Sequence, residues 1–273
     1  MVLRVLSWNL AHGRDFPPDP ALLTWRSRLL SSSERGATHI QVNRPLRDQF
    51  AAWLAERQWE LALLQEAPPR WQRALAGRAE ASSAIALTSR NLFALLRGAI
   101  ADVNPDLIAS NEGGSNQLLV RPPARILEVR RLTLTERPER RRMLWALVGT
   151  ADGGRLAVAN LHATSGDPDG AARDVELAAQ RAVEWAGAHP LVFGGDLNLR
   201  PREDPGTFKR LRERLGLAEP TGERAIDHLL CRGLERVAPA TALAPEEREV
   251  PGPDGLRIRL SDHAPVVASF GMR

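Results

Sequence analysis

Short apolar runs alternate along the chain with segments of helical periodicity. The runs predicted as strands are LRVLSWNL, WELALLQE, SAIALTS, QLLVRPP, ARILEVRRLTL, RMLWALVGT, RLAVANLHAT, PLVFGGDLNL, AIDHLL and HAPVVASF. Apolar positions at helical spacing predict helices over 21–30, 46–57, 71–79 and 171–188. The last is the clearest, with a buried face expected at Val175, Leu177, Ala178, Ala182 and Trp185.

Turn-forming residues separate these segments without dividing the chain. The stretch SSSERGATHIQVNRP, at 31–45, predicts a loop or insertion between the first two helices. NEGGSN predicts a turn before QLLVRPP, and DGG at 152–154 predicts a hairpin turn. Since the chain shows no linker, repeat or change of composition, we expect one mixed α/β domain over residues 1–273.

Polar side chains occur where several of the apolar runs end or begin. They are Asn9 after LSW, Glu66 after LALLQ, His162 after LAVANL, Asp196 and Asn198 after LVFGG, Asp227 at the start of DHLL, and Asp262 and His263 before APVVASF. Carboxylates, amides and imidazoles at strand ends are what an active site at the edge of a packed sheet requires. Their number and order favour a functional site over a set of unrelated caps.

Each of these residues also has an ordinary structural explanation. Asn9 and the Asp196–Asn198 pair could form turns, because Asn and Asp favour them. Asp227 and Asp262 could cap helices, and a single histidine such as His162 is more often structural than catalytic. His228 is expected to be structural or exposed. His12 could reach the substrate, but we expect it to be a loop histidine with no special role. Trp8 and Trp145 are expected in the core.

Composition places the chain among globular proteins. Hydrophobic residues make up 43% and charged residues 26% of the 273 residues, values near those of ordinary folded domains. No apolar stretch reaches the length of a membrane span. The single cysteine, Cys231, fits a reducing compartment. We therefore expect a cytoplasmic protein without a membrane span.

The charge gives limited support for a nucleic-acid partner. The pI is about 10.6, but the formal net charge is only +4, and all but one of the 37 basic residues are arginine. Arginine raises a pI steeply because it titrates far above neutrality. Two arginine groups could flank a phosphate-bearing ligand or form solvated faces. They are Arg137, Arg140, Arg141 and Arg142, and Arg210, Arg212 and Arg214.

The ordered motifs SWNL, LLQE, NLHAT, GGDLN, IDHLL and SDHAPV resemble the endonuclease/exonuclease/phosphatase superfamily, which includes DNase I-like nucleases. The likeness extends from Ser7 to Val266. It implies an α/β fold: a four-layer sandwich of two packed mixed β-sheets flanked by helices. It also implies phosphoester hydrolysis that depends on Mg²⁺ or Mn²⁺.

The resemblance also implies a role for each matching residue. Asn9, Glu66 and Asp262 correspond to metal ligands, and their oxygen atoms suit Mg²⁺. Asp196 and Asn198 correspond to residues beside the attacking water. Asp227 corresponds to the partner that orients His263, and His162 to a candidate general acid. Which of Asp196, His162 and His263 is the base and which the acid stays open.

Some positions depart from the family pattern. Ala11 stands where many members have a carboxylate two residues after the first asparagine, and the chain has no tyrosine. Asn116 resembles a phosphate-contacting position, and Glu112 is a candidate partner for His162.

A nuclease acting on DNA or RNA phosphodiesters is the first functional hypothesis, supported by the arginines. The alternative is a phosphatase or phosphodiesterase acting on small or lipid phosphoesters. A non-catalytic binding module on the same fold is the third hypothesis. We expect the protein to be a monomer.

Overall fold

The computed structural model describes residues 2–88, 99–100, 103–104, 114–137 and 139–271. The strands are β1 (Val2–Asn9), β2 (Glu34–Arg35), β3 (Ile40–Gln41), β4 (Leu61–Gln65), β5 (Ser82–Leu87), β6 (Ser115–Val120), β7 (Arg125–Thr135), β8 (Arg141–Gly149), β9 (Arg155–His162), β10 (Leu191–Asp196), β11 (Asp227–Arg232), β12 (Glu235–Ala242), β13 (Glu249–Pro251), β14 (Arg257–Arg259) and β15 (Val266–Gly271). The α-helices are α1 (Trp25–Leu30), α2 (Arg47–Glu56), α3 (Gln72–Arg78), α4 (Pro168–Ala186) and α5 (Pro205–Leu215).

Most of the strands form two sheets. One has six strands in the order β12-β15-β1-β4-β6-β5, and the other has five in the order β11-β10-β9-β8-β7. β1 runs parallel to β4, and β9 runs parallel to β10, whereas the other pairs within these sheets are antiparallel. Both sheets are therefore mixed.

Three hydrophobic clusters separate the layers. One packs the six-stranded sheet against α2 and α3 through residues such as Trp8, Phe50 and Leu75. The second packs the five-stranded sheet against α4 and α5, and it contains Trp145. The third lies between the sheets, where side chains such as Leu63 from β4 meet others from β8 and β9. The predicted four-layer sandwich is confirmed, as is the burial of Trp8 and Trp145. Among the described residues, no helix combines the length and apolar composition needed to cross a bilayer.

Buried amides join the two sheets below the polar edge. Asn160 of β9 donates through Nδ2 to the carbonyl oxygens of Leu64 at 3.0 Å and Gln117 at 2.8 Å. Its Oδ1 accepts a 2.8 Å hydrogen bond from Gln65 Nε2. Buried polar groups need such partners because an unpaired one costs stability. These bonds fix how the sheets lie against each other.

The first predicted helix is only partly correct. Residues 21–30 divide into a 3₁₀ turn, Pro20–Leu22, and the short helix α1. The division occurs at Thr24, whose hydroxyl oxygen accepts from the backbone N–H groups of Arg26 and Ser27. A residue that caps a helix in this way is itself in a non-helical conformation, and Thr24 is extended, with φ of −95° and ψ of 161°. The predicted loop at 31–45 contains the small β2–β3 hairpin.

The later helices show one wrong face and one omission. Leu177 was expected on the buried face of α4, but it is 38% exposed. It lies two residues from the buried Val175, which places it about 200° around the helix. Helix α5 was not predicted, although Asp204 caps its first turn and Gly216 ends it in a left-handed conformation. Strands β12, β13 and β14 were also missed.

Candidate active site

The inner faces of both sheets change from apolar to polar toward one edge. In β10, Val192 lies in the cluster between the sheets, and Asp196 lies four residues further along. Because strand side chains alternate, Asp196 continues the same face. In β1, Asn9 likewise lies four residues after Val5. The same alternation in the neighbouring strands places four more polar residues at this edge, namely Gln65, Asn116, His162 and Asp227.

Asp196 lies at the centre of the edge and is only 2% exposed. It pairs in register with His162 of β9 and with Asp227 of β11. Its Oδ2 accepts a 3.0 Å hydrogen bond from Asn9 Nδ2 of the opposite sheet. Burial, with the negative charge of Asp227, raises the pKa of Asp196 to about 7, although His263 and the hydrogen bonds from Asn9 and Asn198 oppose this rise. The carboxyl can therefore exchange a proton near neutral pH.

The backbone around Asp196 is shaped by a close strand contact and a turn. A Cβ on Gly195, whose φ is +129°, would overlap the carbonyl oxygen of Leu161, so β10 can approach β9 only with glycine there. Asp196 Oδ1 accepts from the backbone N–H of Asn198 at 3.0 Å. Asn198 Nδ2 in turn donates to the Ala163 carbonyl at 3.2 Å. Asp196 and Asn198 therefore form the turn that was the structural explanation for this pair. The same turn places Asn198 at the site.

His263 is held by a carboxylate. Its Nδ1 lies 2.8 Å from Asp227 Oδ2, and its backbone carbonyl accepts a 3.0 Å hydrogen bond from Trp8 Nε1. Burial alone would lower the pKa of His263, but the hydrogen bond and charge of Asp227, together with Asp196 and Asp262, raise it to about 10. The imidazole is therefore protonated at neutral pH.

His162 lies in the opposite electrostatic environment. It is 3% exposed, and its Nδ1 lies 3.2 Å from the guanidinium Nη1 of Arg141. Arg141 is buried as well, and its Nη2 donates to Glu139 at 2.8 Å. Burial, followed by the positive charges of Arg141, His263 and His12, lowers the pKa of His162 well below its ordinary value. The ring is therefore neutral, in contrast to the charged ring of His263.

Glu66 follows β4 in a left-handed conformation, with φ of +46°. One carboxylate oxygen, Oε2, lies 3.2 Å from His12 Nε2, and the other, Oε1, lies 3.7 Å from His162 Nε2. Burial and the nearby charge of Asp262 raise the pKa of Glu66 to about 7, although His263 and Arg141 lower it. Two carboxylates at close range in a partly desolvated place favour the binding of a cation.

Sequence and structure comparisons give the family of this fold and site. Residues 6–263 match the family model of the Endonuclease/Exonuclease/phosphatase family. The chain belongs to this family. Its members are hydrolases that act on phosphoester bonds, which agrees with the class of activity predicted from the motifs. No curated protein matches the chain by sequence.

Solved structures of family members share the fold across the whole chain. The mannosyl-6-phosphatase of Bacteroides thetaiotaomicron is 14% identical, with a TM-score of 0.66, over 99% of this chain and 100% of that one. The catalytic domain of human Nocturnin is 15% identical, with a TM-score of 0.61, over 100% and 95%. TDP2 from Caenorhabditis elegans is 14% identical, with a TM-score of 0.58, over 100% and 75%. At these identities the likeness shows the fold alone.

The donor groups at the edge suit a divalent cation. Asp196, Asp227 and His263 offer ligand atoms that all lie within 4.8 Å of one another, so this group could hold a metal ion. It differs from the predicted set of Asn9, Glu66 and Asp262. Asp196 and Asp227 already accept hydrogen bonds from protein donors. The side chains of Glu66 and Asp262 are 26% and 45% exposed, so their carboxylate oxygens are more accessible than that of the buried Asp196.

The structure brings the predicted residues to one edge and adds others. His12, for which no special role was expected, lies at the site with its Nε2 3.2 Å from Glu66 Oε2. Arg141 was noted only as part of an arginine group, yet it is 5% exposed beside His162. Its position at the start of a strand in the RRRML run was the available signal.

Three remaining predictions have different outcomes. His228 is structural, as expected, because it is fully buried and its Nε2 lies 3.0 Å from the Leu199 carbonyl. Asn116 is buried on the inner face, and its Nδ2 donates to the Arg142 carbonyl at 2.7 Å. Glu112 lies outside the described residues.

Proposed function

We propose that the protein is a divalent-metal-dependent phosphoesterase in which water attacks the phosphorus. The observation that carries the proposal is the 3.0 Å hydrogen bond between Asn9 and Asp196. It joins a carboxyl group suited to proton transfer to Asn9, which is itself a candidate metal ligand. Metal ligation and proton transfer would then occur next to each other, as hydrolysis of a phosphoester requires.

Glu66 and Asp262 would hold the ion, with the Asn9 side-chain oxygen as a further ligand. Mg²⁺ and Mn²⁺ both accept such oxygen ligands. When bound, the ion would polarise a phosphoryl oxygen and stabilise the negative charge that develops on it. Asn9 Oδ1 already accepts the backbone N–H of Ala11 at 2.9 Å, which points this amide oxygen toward the turn that contains His12.

Asp196 is the proposed general base. A base works best when its pKa lies near the operating pH, and burial brings the pKa of Asp196 to about 7. Asn198 lies two residues further on in the turn anchored by Asp196. It would orient the attacking water beside that carboxylate.

Two cationic groups would contact the phosphoryl oxygens. His263 carries a proton at neutral pH because of Asp227, and its Nε2 faces Asp196 at 3.9 Å. Arg141 provides a permanent positive charge next to His162. A guanidinium and an imidazolium both donate charge-assisted hydrogen bonds to phosphate. Neutral His162 would donate or accept a further hydrogen bond there.

The placement of the arginines favours a compact phosphoester as substrate. Arg210 pairs with Glu176 at 2.5 Å, and Arg212 lies 3.8 Å from Glu213, so these arginines are engaged with acidic side chains. Arg141 also pairs with an acidic side chain, Glu139, but it lies inside the site beside His162. A positive charge concentrated at the reacting group suits a small or lipid phosphoester. Nucleic acid is the second candidate, favoured by the net charge of +4.

A substrate panel tests both candidates. Purified protein would be incubated with Mg²⁺ or Mn²⁺ and supercoiled plasmid, single-stranded DNA, RNA, or small phosphomonoesters and phosphodiesters. The variants Asp196→Asn and His263→Ala would accompany the wild type. Asp169→Asn, which changes a surface carboxylate in the first turn of α4, is the matched control.

We expect metal-dependent turnover of small esters that both site variants abolish and the control keeps. Cleavage of plasmid or RNA with salt-sensitive rates would select the nucleic-acid candidate instead, because phosphate contacts weaken as salt rises. Folded wild-type protein that hydrolyses nothing across the panel would contradict catalysis and favour the binding module.

A further inference from the structure

The turn after β1 is built so that His12 reaches Glu66. Ala11 and His12 have φ values of +45° and +56°, a conformation that non-glycine residues adopt only at a cost. Gly13 completes the turn, and a Cβ at that position would overlap the ring of Trp71. The His12 backbone N–H donates to the Glu66 carbonyl at 3.1 Å. Backbone and packing therefore fix the imidazole beside the carboxylate.

The separation of the two side chains matches that of two ligands on one ion. His12 Nε2 and Glu66 Oε2 are 3.2 Å apart. In an octahedral site with bonds of about 2.1 Å, neighbouring ligand atoms lie about 3 Å apart. Both side chains are mostly buried, at 11% and 26% exposed. Ala11 precedes His12 and has no donor atom in its side chain, so the imidazole is the turn's own candidate ligand.

We propose that His12 is a nitrogen ligand of the catalytic divalent ion, and that the site therefore prefers a first-row transition ion such as Mn²⁺ over Mg²⁺. This inference rests on the proposed metal-dependent function and names a ligand that the predicted set of Asn9, Glu66 and Asp262 lacks. Mg²⁺ takes oxygen ligands and keeps its waters. Imidazole nitrogen binds transition ions more strongly, so one such ligand changes the selectivity.

The same contact could instead be a direct hydrogen bond by which His12 only orients Glu66. The two arrangements differ in what a bound ion contacts. A ligand places its nitrogen in the first coordination sphere, whereas an orienting residue does not. Magnetic coupling between Mn²⁺ and a ¹⁴N nucleus reports this difference without any turnover.

Electron spin echo measurements on the Mn²⁺-loaded protein test the assignment. The variants are His12→Gln, which keeps a polar side chain, His12→Ala, and His162→Ala, because His162 also lies near Glu66. His189→Ala is the matched control, since His189 lies in the turn between α4 and β10, away from the polar edge. We expect ¹⁴N coupling in the wild type, the His162 variant and the control, and its loss in both His12 variants.

Calorimetric titration of the same proteins with Mn²⁺ and with Mg²⁺ gives the selectivity. We expect the His12 variants to lose Mn²⁺ affinity by about tenfold or more and Mg²⁺ affinity by much less. His12→Asp should bind Mg²⁺ more tightly than the wild type does, because it places an oxygen ligand in the turn. Circular dichroism of each variant checks that it is folded.

The two proposals fail in different ways. Mn²⁺ binding without ¹⁴N coupling, or coupling that survives in His12→Gln, would overturn the role of His12 and leave the phosphoesterase proposal standing. Equal losses of Mn²⁺ and Mg²⁺ affinity in the His12 variants would also overturn it. If neither Mn²⁺ nor Mg²⁺ binds the wild type, both proposals are overturned.

Discussion

The two sheets bring side chains of different character to the shared edge. The five-stranded sheet contributes His162, Asp196 and Asp227, which are at most 8% exposed and contact other protein side chains. The six-stranded sheet leads to Glu66 and, just before its strand β15, to Asp262, both with more exposed carboxylates. Under the proposed function, the first set would transfer protons and contact phosphate, whereas the second would bind the metal ion.

The largest expected effect is on the five-stranded side. Asp196→Asn removes the proposed base and should lower kcat/KM by about three orders of magnitude. The folded-state pKa of Asp196 is raised, so its ionised form costs stability as pH rises through about 7. The variant should therefore melt at the same or a higher temperature at pH 8. Near-normal turnover would mean that another group is the base.

A change on the six-stranded side should behave differently. Glu66→Gln keeps the shape of the side chain but removes its charge, and it should weaken Mn²⁺ or Mg²⁺ binding by about 10- to 100-fold. Excess metal should then recover much of the activity, whereas it should not rescue Asp196→Asn. Calorimetry and rate measurements over a range of metal concentrations separate the two. If excess metal does not recover the activity of Glu66→Gln, the two sheets do not differ in the way proposed.

The Asp227–His263 pair links the two sides and can be followed by pH. NMR titration of the metal-free protein should give His263 a pKa of about 10. Because this folded-state value is raised, the pair's stabilising effect is fully present below the ordinary histidine pKa of about 6.5. It is lost as pH rises through about 10.

Asp227→Asn should lower the pKa of His263 and reduce kcat/KM by about one to two orders of magnitude. A hydrogen bond to a charged group contributes about 1.5–3 kcal/mol, which corresponds to that factor. The melting temperature at pH 8 should also fall. An unchanged titration of His263 would show that Asp227 does not control its proton.

The smallest effect on turnover is expected for a change of Trp8, whose indole supports the loop that carries His263. Trp8→Phe keeps an aromatic ring in the core but removes the hydrogen bond from Nε1 to the His263 carbonyl. We expect a loss of about 2–3 kcal/mol in the free energy of unfolding, measured by urea denaturation, because the smaller ring also leaves a cavity in the core. Turnover should fall only slightly. A large catalytic loss without loss of stability would indicate that the loop position is more sensitive than this single bond suggests.

The layers were predicted through the family resemblance, which the order of the motifs indicated. The edge residues followed from short-range pattern, because Asn9 and Asp196 come directly after apolar runs. His12 and Arg141 were not assigned because their roles depend on contacts with Glu66 and His162 that lie far away in the chain. The hydrogen bonds of Asn160 between the sheets could not be predicted for the same reason, because their partners are also distant in the sequence.

The ends of some helices were predicted wrongly where capping side chains, rather than the spacing of apolar residues, determine them. Thr24 shortened a helix that apolar spacing alone extended to residue 21. Helix α5 was overlooked because its arginines were considered only as charge, although Asp204, Pro205 and Gly216 mark both its ends. Such caps are local signals, and they could have been found in the sequence.

The amide bonds of Asn160 have a consequence for heat inactivation. Neither sheet alone carries a complete set of the proposed site residues, and these bonds hold the sheets in one relative position. A partly unfolded molecule in which one sheet stays intact would contain only some of the proposed site residues and would be inactive. Activity on heating should therefore disappear in a single step, at the temperature where the sheets separate, with no weakly active intermediate before it.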